Sequence, residues 1–188
     1  MRKLVLVIGL CIGLSAAGNF LVNHNFEEAL SVGWQSYLTS ATYDSVMRGT
    51  GYEPDPDYEA YLTKSFGGYA KLWQAIDIMT VDSFSFSIKA KLYAYDNNAD
   101  SLCWAAAAII ISYINSAGTV LGTTRICRKT TPCAWTNTST NHLINVTDSL
   151  WHAYSFDLRT ELINLPGVIP SQVKKIQVAL FDTCAHTC

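Results

Sequence analysis

Histidines and carboxylates are the first places to look for chemistry, and this chain offers them singly. His24, His142, His152 and His186 are scattered, and none stands in a nucleophile or acid–base motif. Asp55 and Asp57 in the stretch EPDPD are a nominal carboxylate pair. Alternating prolines there mark a rigid, extended, solvated loop. A glycosidase needs two carboxyls roughly 5 to 9 Å apart, a separation that spacing along a chain does not encode. No enzymatic activity is expected. Cys184-Ala-His-Thr-Cys188 places two thiols around an imidazole. Structural zinc uses such donors, but with a second pair elsewhere in the chain. In an exported protein oxidation to disulfides competes with metal, and disulfides are the favoured reading.

The residue types that do recur are large aromatics with a polar tip or a polar neighbour. A pyranose presents C–H bonds that stack on a ring while nearby polar groups bond its hydroxyls. Trp73 lies on the polar side of an alternating stretch, with Lys71 and Asp77. Tyr93 and Tyr95 share the polar face of another stretch with Lys89 and Lys91. Trp104 and Trp135 fall near or within loops. Amphipathic rings suit such surfaces. The competing reading for each is core packing, and Trp34 and Trp151 are assigned to structure outright.

These side chains sit on an exported scaffold. Arg2 and Lys3, an apolar run from Leu4 to Leu14, and Ser15-Ala16-Ala17 have the layout of a secretory signal peptide cut after Ala17. The apolar run is too short to span a bilayer, which takes about 20 residues. Residues 18–188 suit a single domain with a substantial core. Two of the 13 basic residues leave with the leader, while all 15 acidic residues remain. No basic stripe is present, so nucleic acid is not an expected partner. Of the six cysteines Cys11 leaves too, so Cys103, Cys127, Cys133, Cys184 and Cys188 make an odd set. Cys127 and Cys133 bracket the short polar loop RKTTP and are expected to form a disulfide pinning the base of segment 128–149. Asn137-Thr-Ser and Asn145-Val-Thr are glycosylation sequons, meaningful in a host that modifies them.

Two-residue periodicity dominates the chain. In 84–95 Phe84, Phe86, Ile88, Ala90, Leu92 and Ala94 share one face, the mark of a half-buried strand. Residues 69–78 alternate likewise, except that Gln74 breaks the inner row. Residues 103–114 are apolar on both faces, as a covered central strand is; their four alanines imply little room, where loops or an aromatic side chain cross. Strands are also expected over 119–127, 151–158 and 174–182, and short helical turns over 159–165 and 170–173. Residues 49–57, 96–102 and 128–149 read as irregular. Eight or so strands between turn-rich loops argue for an all-β, antiparallel sandwich.

In order along the chain, these stretches resemble the galactose-binding-like jelly-roll class, which includes carbohydrate-binding modules of secreted bacterial proteins. LVNHNFEEALSVGW resembles the opening apolar strand, Asn-x-x-Phe-Glu and Gly-Trp; GGYAKLWQAIDI resembles the Gly-led alternating strand with a Gln. VDSFSFSIKAKLYAY with IIISYINSAGTVLG resembles the central pair, and WHAYSFDL a late strand. The resemblance implies an antiparallel jelly-roll β-sandwich. It implies a secreted, non-catalytic protein that binds a glycan or polysaccharide. The alternatives are a cell-surface adhesion domain binding protein chains and a polysaccharide-active enzyme. It further implies that Glu27, helped by Glu28, holds a structural Ca²⁺, an ion that takes about 6 to 8 oxygen ligands.

In that class another strand, carrying an Asp-Asn pair, follows the stretch matching 174–182. Together with the odd cysteine count, this leads to the expectation of a fragment cut before its final strand, with an open sheet edge beside the missing strand.

Overall fold

The computed structural model describes residues 19–39, 44–51, 57–95 and 103–185. The leader, Asp55, the 96–102 loop, His186 and Cys188 lie outside the described residues. Strands β1(Gln35–Leu38), β4(Gly68–Asp77), β10(Lys175–Ala185), β6(Trp104–Ile114), β7(Val120–Lys129) and β8(Asn141–Asn145) form one six-stranded sheet in the order β1-β4-β10-β6-β7-β8. Two further ladders pair β2(Ser45–Gly49) with β3(Glu59–Thr63) and β5(Ser85–Lys91) with β9(Trp151–Asp157). No helix among the described residues is long and apolar enough to cross a membrane.

Alternation decides which face of the sheet meets the core. Ala70, Leu72, Gln74 and Ile76 of β4 point inward, beside Ile176, Val178 and Leu180 of β10 and Ile109, Ile111 and Tyr113 of β6. They join Ala60 and Leu62 of β3 and Phe86, Ile88 and Ala90 of β5 in one core. The chain then turns through α1(Leu158–Glu161), capped by Asp157, whose carboxylate accepts from Thr160 N. Leu158, Leu162, Leu165 and Val168 close the core there.

The sheet is mixed, not antiparallel throughout, because β7 and β8 run parallel. Residues 130–140 cross back to the end where β7 began, so β8 must start there. Gly122 makes the return possible: a Cβ there would stand 2.4 Å from Val168 Cγ2 and 2.8 Å from Thr140 O. Segment 128–149 is thus structured, not a long irregular stretch. Strand β10, the last described, is hydrogen-bonded on both sides, to β4 and to β6.

The opening stretch Phe20–Val22 is a bend, not a strand. It is held by the residue that breaks the apolar row of β4. Gln74 Oε1 accepts from Val22 N at 2.7 Å and Gln74 Nε2 donates to Val22 O at 3.0 Å, so one side-chain amide replaces a ladder partner. Gly33, at φ +82°, lets the chain pass where a Cβ would lie 2.8 Å from Val22 Cβ. Replacing Gln74 by Met keeps the volume and orphans both Val22 groups. We expect a loss of about 1–3 kcal/mol in urea unfolding, with faster amide exchange at Val22. An unchanged unfolding midpoint would show that the clamp carries no stability.

Candidate functional site

The face of the six-stranded sheet that points away from the core carries the second parity of each strand. Tyr37 of β1, Tyr69, Lys71 and Trp73 of β4, Gln177 and Phe181 of β10, and Arg125 of β7 all lie there. Their rings form a continuous series. Tyr37 and Tyr69 lie 5.0 Å apart, Tyr69 and Phe181 stack at 5.4 Å, and Phe181 meets Trp135 at 6.1 Å. Tyr37 is 47% and Tyr69 38% exposed. Such rings, open at one end and packed at the other, are kept in place without being buried.

Two cations lie on indoles of this face. Lys71 Nζ is 4.8 Å from the Trp73 ring centre and donates to Gln177 Oε1 at 2.9 Å. The Arg125 guanidinium lies 4.5 Å from the centre of the Trp135 ring, and its Nε donates to Thr123 Oγ1 at 3.4 Å. Burial lowers the Lys71 pKa. Burial also lowers that of Arg125, against an opposing pull from Cys127 and Cys133. Trp135 reaches the face from the 130–140 crossing. It packs with Ile110 on the cluster of Ala108, Cys127 and Leu143, where the alanines of β6 imply that a loop or an aromatic side chain crosses.

Of the five aromatics expected to contact ligand, the structure brings Trp73 and Trp135 to this face. Trp104 opens β6 on the same face, half-buried. Tyr93 and Tyr95 stack on each other at 6.2 Å beyond the end of β5. Trp34 is buried, donating to Asn23 O, as structural assignment requires. Trp151 is half-buried on β9 with Lys89 Nζ 5.9 Å from its ring. Lys71 and Asp77 were visible as neighbours of Trp73 in the alternation of β4. Tyr37, Phe181, Gln177 and Arg125 come from other strands, and only strand pairing places them.

The residues around Glu27 do not fit a calcium ion. Glu27 and Glu28 are exposed. The carbonyls of Phe26 and Glu27, which an ion beside the Glu27 carboxylate would recruit, both accept from Arg48 Nη1, at 2.9 and 2.8 Å. A guanidinium thus already supplies positive charge there, itself lying 4.1 Å from the Tyr58 ring centre. No group of three or more His, Cys, Asp or Glu side chains converges among the described residues.

The expected Cys127–Cys133 disulfide is not formed; both residues are buried thiols. Cys127 sits on the outer parity of β7 with its Sγ 3.8 Å from Asn145 Oδ1. Cys133 is held in its own turn, its N–H donating to Thr130 O and its carbonyl accepting from Lys129 Nζ. Burial pushes the Cys127 thiol up to about 11.

One buried polar network escaped the sequence. Glu161 Oε1 accepts from Thr124 Oγ1 at 2.8 Å and lies 2.5 Å from His142 Nδ1, Oε2 accepts from Asn164 at 3.1 Å, and the Tyr113 hydroxyl lies 3.1 Å from Thr124 Oγ1. A hydroxyl, imidazole and carboxylate in contact resemble a catalytic triad in composition. Here the hydroxyl is fully buried and bonded on both sides, so no substrate reaches it. The network ties β8 to α1.

Compared with protein-family models and with curated proteins, the chain matches none.

Thiolate is the reactive form of cysteine, and burial disfavours it at Cys127. Folded protein at pH 8 should therefore leave Cys127 unlabelled by iodoacetamide, while unfolding without reductant should expose it. A raised thiol pKa also means that its stabilising share is present below about pH 9 and lost as pH rises through about 11. Mass spectrometry reads the labelling; rapid modification of the folded chain would contradict the burial.

Proposed function

We propose that this chain is a secreted, non-catalytic β-sandwich of the jelly-roll type that binds a polysaccharide or cell-surface glycan. Binding uses the outer face of the six-stranded sheet. The observation that carries this reading is the series of rings from Tyr37 through Tyr69 and Phe181, with Trp73 and its Lys71–Gln177 pair alongside. Rings supply stacking surface for sugar C–H bonds, and the amide and ammonium supply partners for hydroxyls. A monomeric surface gains nothing in stability from leaving two tyrosines half-exposed in line, whereas a binding face requires it. Tyr93 and Tyr95, beyond the end of β5, have no part in this site, and neither does calcium.

A glycan array with the chain beginning at residue 18 tests the reading, and uniform signal across plant, fungal and bacterial glycans would remove it. On a bound glycan, Trp73→Ala should weaken affinity about 30-fold, as loss of about 2 kcal/mol at an aromatic anchor implies. The double variant Tyr93→Ala, Tyr95→Ala should bind as the parent does. The reverse pattern would move the site to the β5 end.

A further inference from the structure

The charges on the aromatic face are not arranged as those of an ordinary solvated surface. By strand register the face carries Lys71, Arg125, Lys129 and Lys175 against one carboxylate among the described strand residues, Asp77. Asp77 is paired with Lys175 at 3.4 Å, and Lys129 Nζ is engaged by the Cys133 carbonyl at 3.0 Å. Lys71 and Arg125 remain. Their polar partners among the described residues are neutral, an amide and a hydroxyl, and each lies against an indole. The chain as a whole has a formal charge of −2, so this basic face runs against the charge of the molecule.

We infer that the glycan bound on this face is anionic, a polysaccharide containing uronic acid residues whose carboxylates meet Lys71 and Arg125 while its sugar faces lie on the rings. This rests on the carbohydrate-binding reading and narrows it. Lys71 on β4 and Arg125 on β7 are separated by three inter-strand steps, which at about 4.8 Å each is roughly 14 Å across the sheet. A ligand touching both is therefore an extended chain, not a monosaccharide. Its charge must be sparse. Two cations beside apolar rings suit one carboxylate per sugar with its C–H faces left bare. A densely sulfated chain calls for a crowded, solvated array of Lys and Arg, which this face lacks. Both cations are already partly stripped of water, as their lowered pKa values reflect, so an incoming carboxylate meets donors with little further desolvation to undergo.

The test uses the chain from residue 18 with polygalacturonate, alginate and hyaluronan. Each is compared with its carboxyl-reduced counterpart, which keeps the linkages and loses the charge; dextran sulfate and a neutral galactan complete the panel. Binding to at least one polyuronate is expected, weakened tenfold or more by carboxyl reduction and by raising salt from 0.05 to 0.5 M, conditions chosen so that screening is strong. Lys71→Gln and Arg125→Gln should each weaken it about tenfold, the scale of one charge-assisted hydrogen bond. Lys71→Arg should retain it, and near-ultraviolet circular dichroism checks that the variants stay folded. Equal binding to native and reduced polymers, or to the neutral galactan alone, overturns the anionic ligand and leaves glycan binding standing. Dextran sulfate bound as tightly as any polyuronate overturns the uronate assignment. No binding to any polymer here or on the array overturns both readings.

Discussion

The packing of Trp135 on the cluster of Ala108, Cys127 and Leu143 is the contact on which much of the sheet depends. Strand β6 is apolar on both faces, and a strand of that kind has to be covered on both. The core covers one face. On the other, the 130–140 crossing brings Trp135, which packs with Ile110 against the cluster of Ala108, Cys127 and Leu143. Several features follow. The chain must return across the sheet, which makes β8 parallel to β7. Cys127 is buried under the crossing. Arg125 finds an aromatic surface to lie on. The far edge of Trp135 meets Phe181, which starts the row of rings toward Tyr37. Cover and proposed binding face are two ends of one aromatic series.

Elsewhere, polar side chains hold segments that lack a ladder. Gln74 stands in for a strand beside Val22, Arg48 gathers the carbonyls of Phe26 and Glu27, and Glu161 joins β7, β8 and α1. Lys64 and Asp44 form a salt bridge of 2.5 Å with both side chains fully buried, while Asp44 and Asp182 accept from the backbone N–H groups of Ser65 and Lys64. Desolvation of such a pair offsets its attraction, so its net stabilisation is small, yet removing one partner costs about 3–5 kcal/mol. Its role is to make any other placement of the β3 end unfavourable. Neutral clamps such as Gln74 act with less leverage, at about 1 kcal/mol per bond.

How much of this could be read from the residues depends on whether the signal was local. Alternation in 69–78 and 84–95 placed two strands, the second of which ends sooner, at Lys91, and the alanines of 105–108 implied that loops or an aromatic side chain cross there. The Leu158–Glu161 turn and the turn at Pro170–Gln172 were legible from the Pro-Gly break between them. Strands β1 and β2 were not, because QSYL and SVMRG are mostly exposed or half-buried and carry no clean two-residue row; nor was β3, whose five residues EAYLT are mostly buried but too few to show a row. NHLIN hid within a Thr- and Asn-rich stretch. Gln74 registered as a fault in a pattern, since its partner Val22 lies 52 residues away. The candidate face was half legible. Trp73 and Trp135 carry their own chemistry, but the Lys71–Gln177 contact spans 106 residues and exists only because β4 and β10 pair. Tyr93 and Tyr95 were grouped with them by residue type; in the structure they stack on each other beyond the end of β5.

Stability does not account for the two cation–indole pairs. An exposed cation–π contact contributes about 0.5–1 kcal/mol, and a surface salt bridge contributes about 0–1 kcal/mol. A Glu at the position of Gln177 would hold Lys71 about as well as the amide does, and its charge would relieve the lysine's desolvation. The amide keeps Lys71 oriented without neutralising it. Thr123 does the same for Arg125, steadying the guanidinium with a neutral hydroxyl while the Trp135 ring lies against it. In both cases the neighbour fixes geometry and leaves charge unspent, and the positive field of the face stays open to whatever lies on the rings.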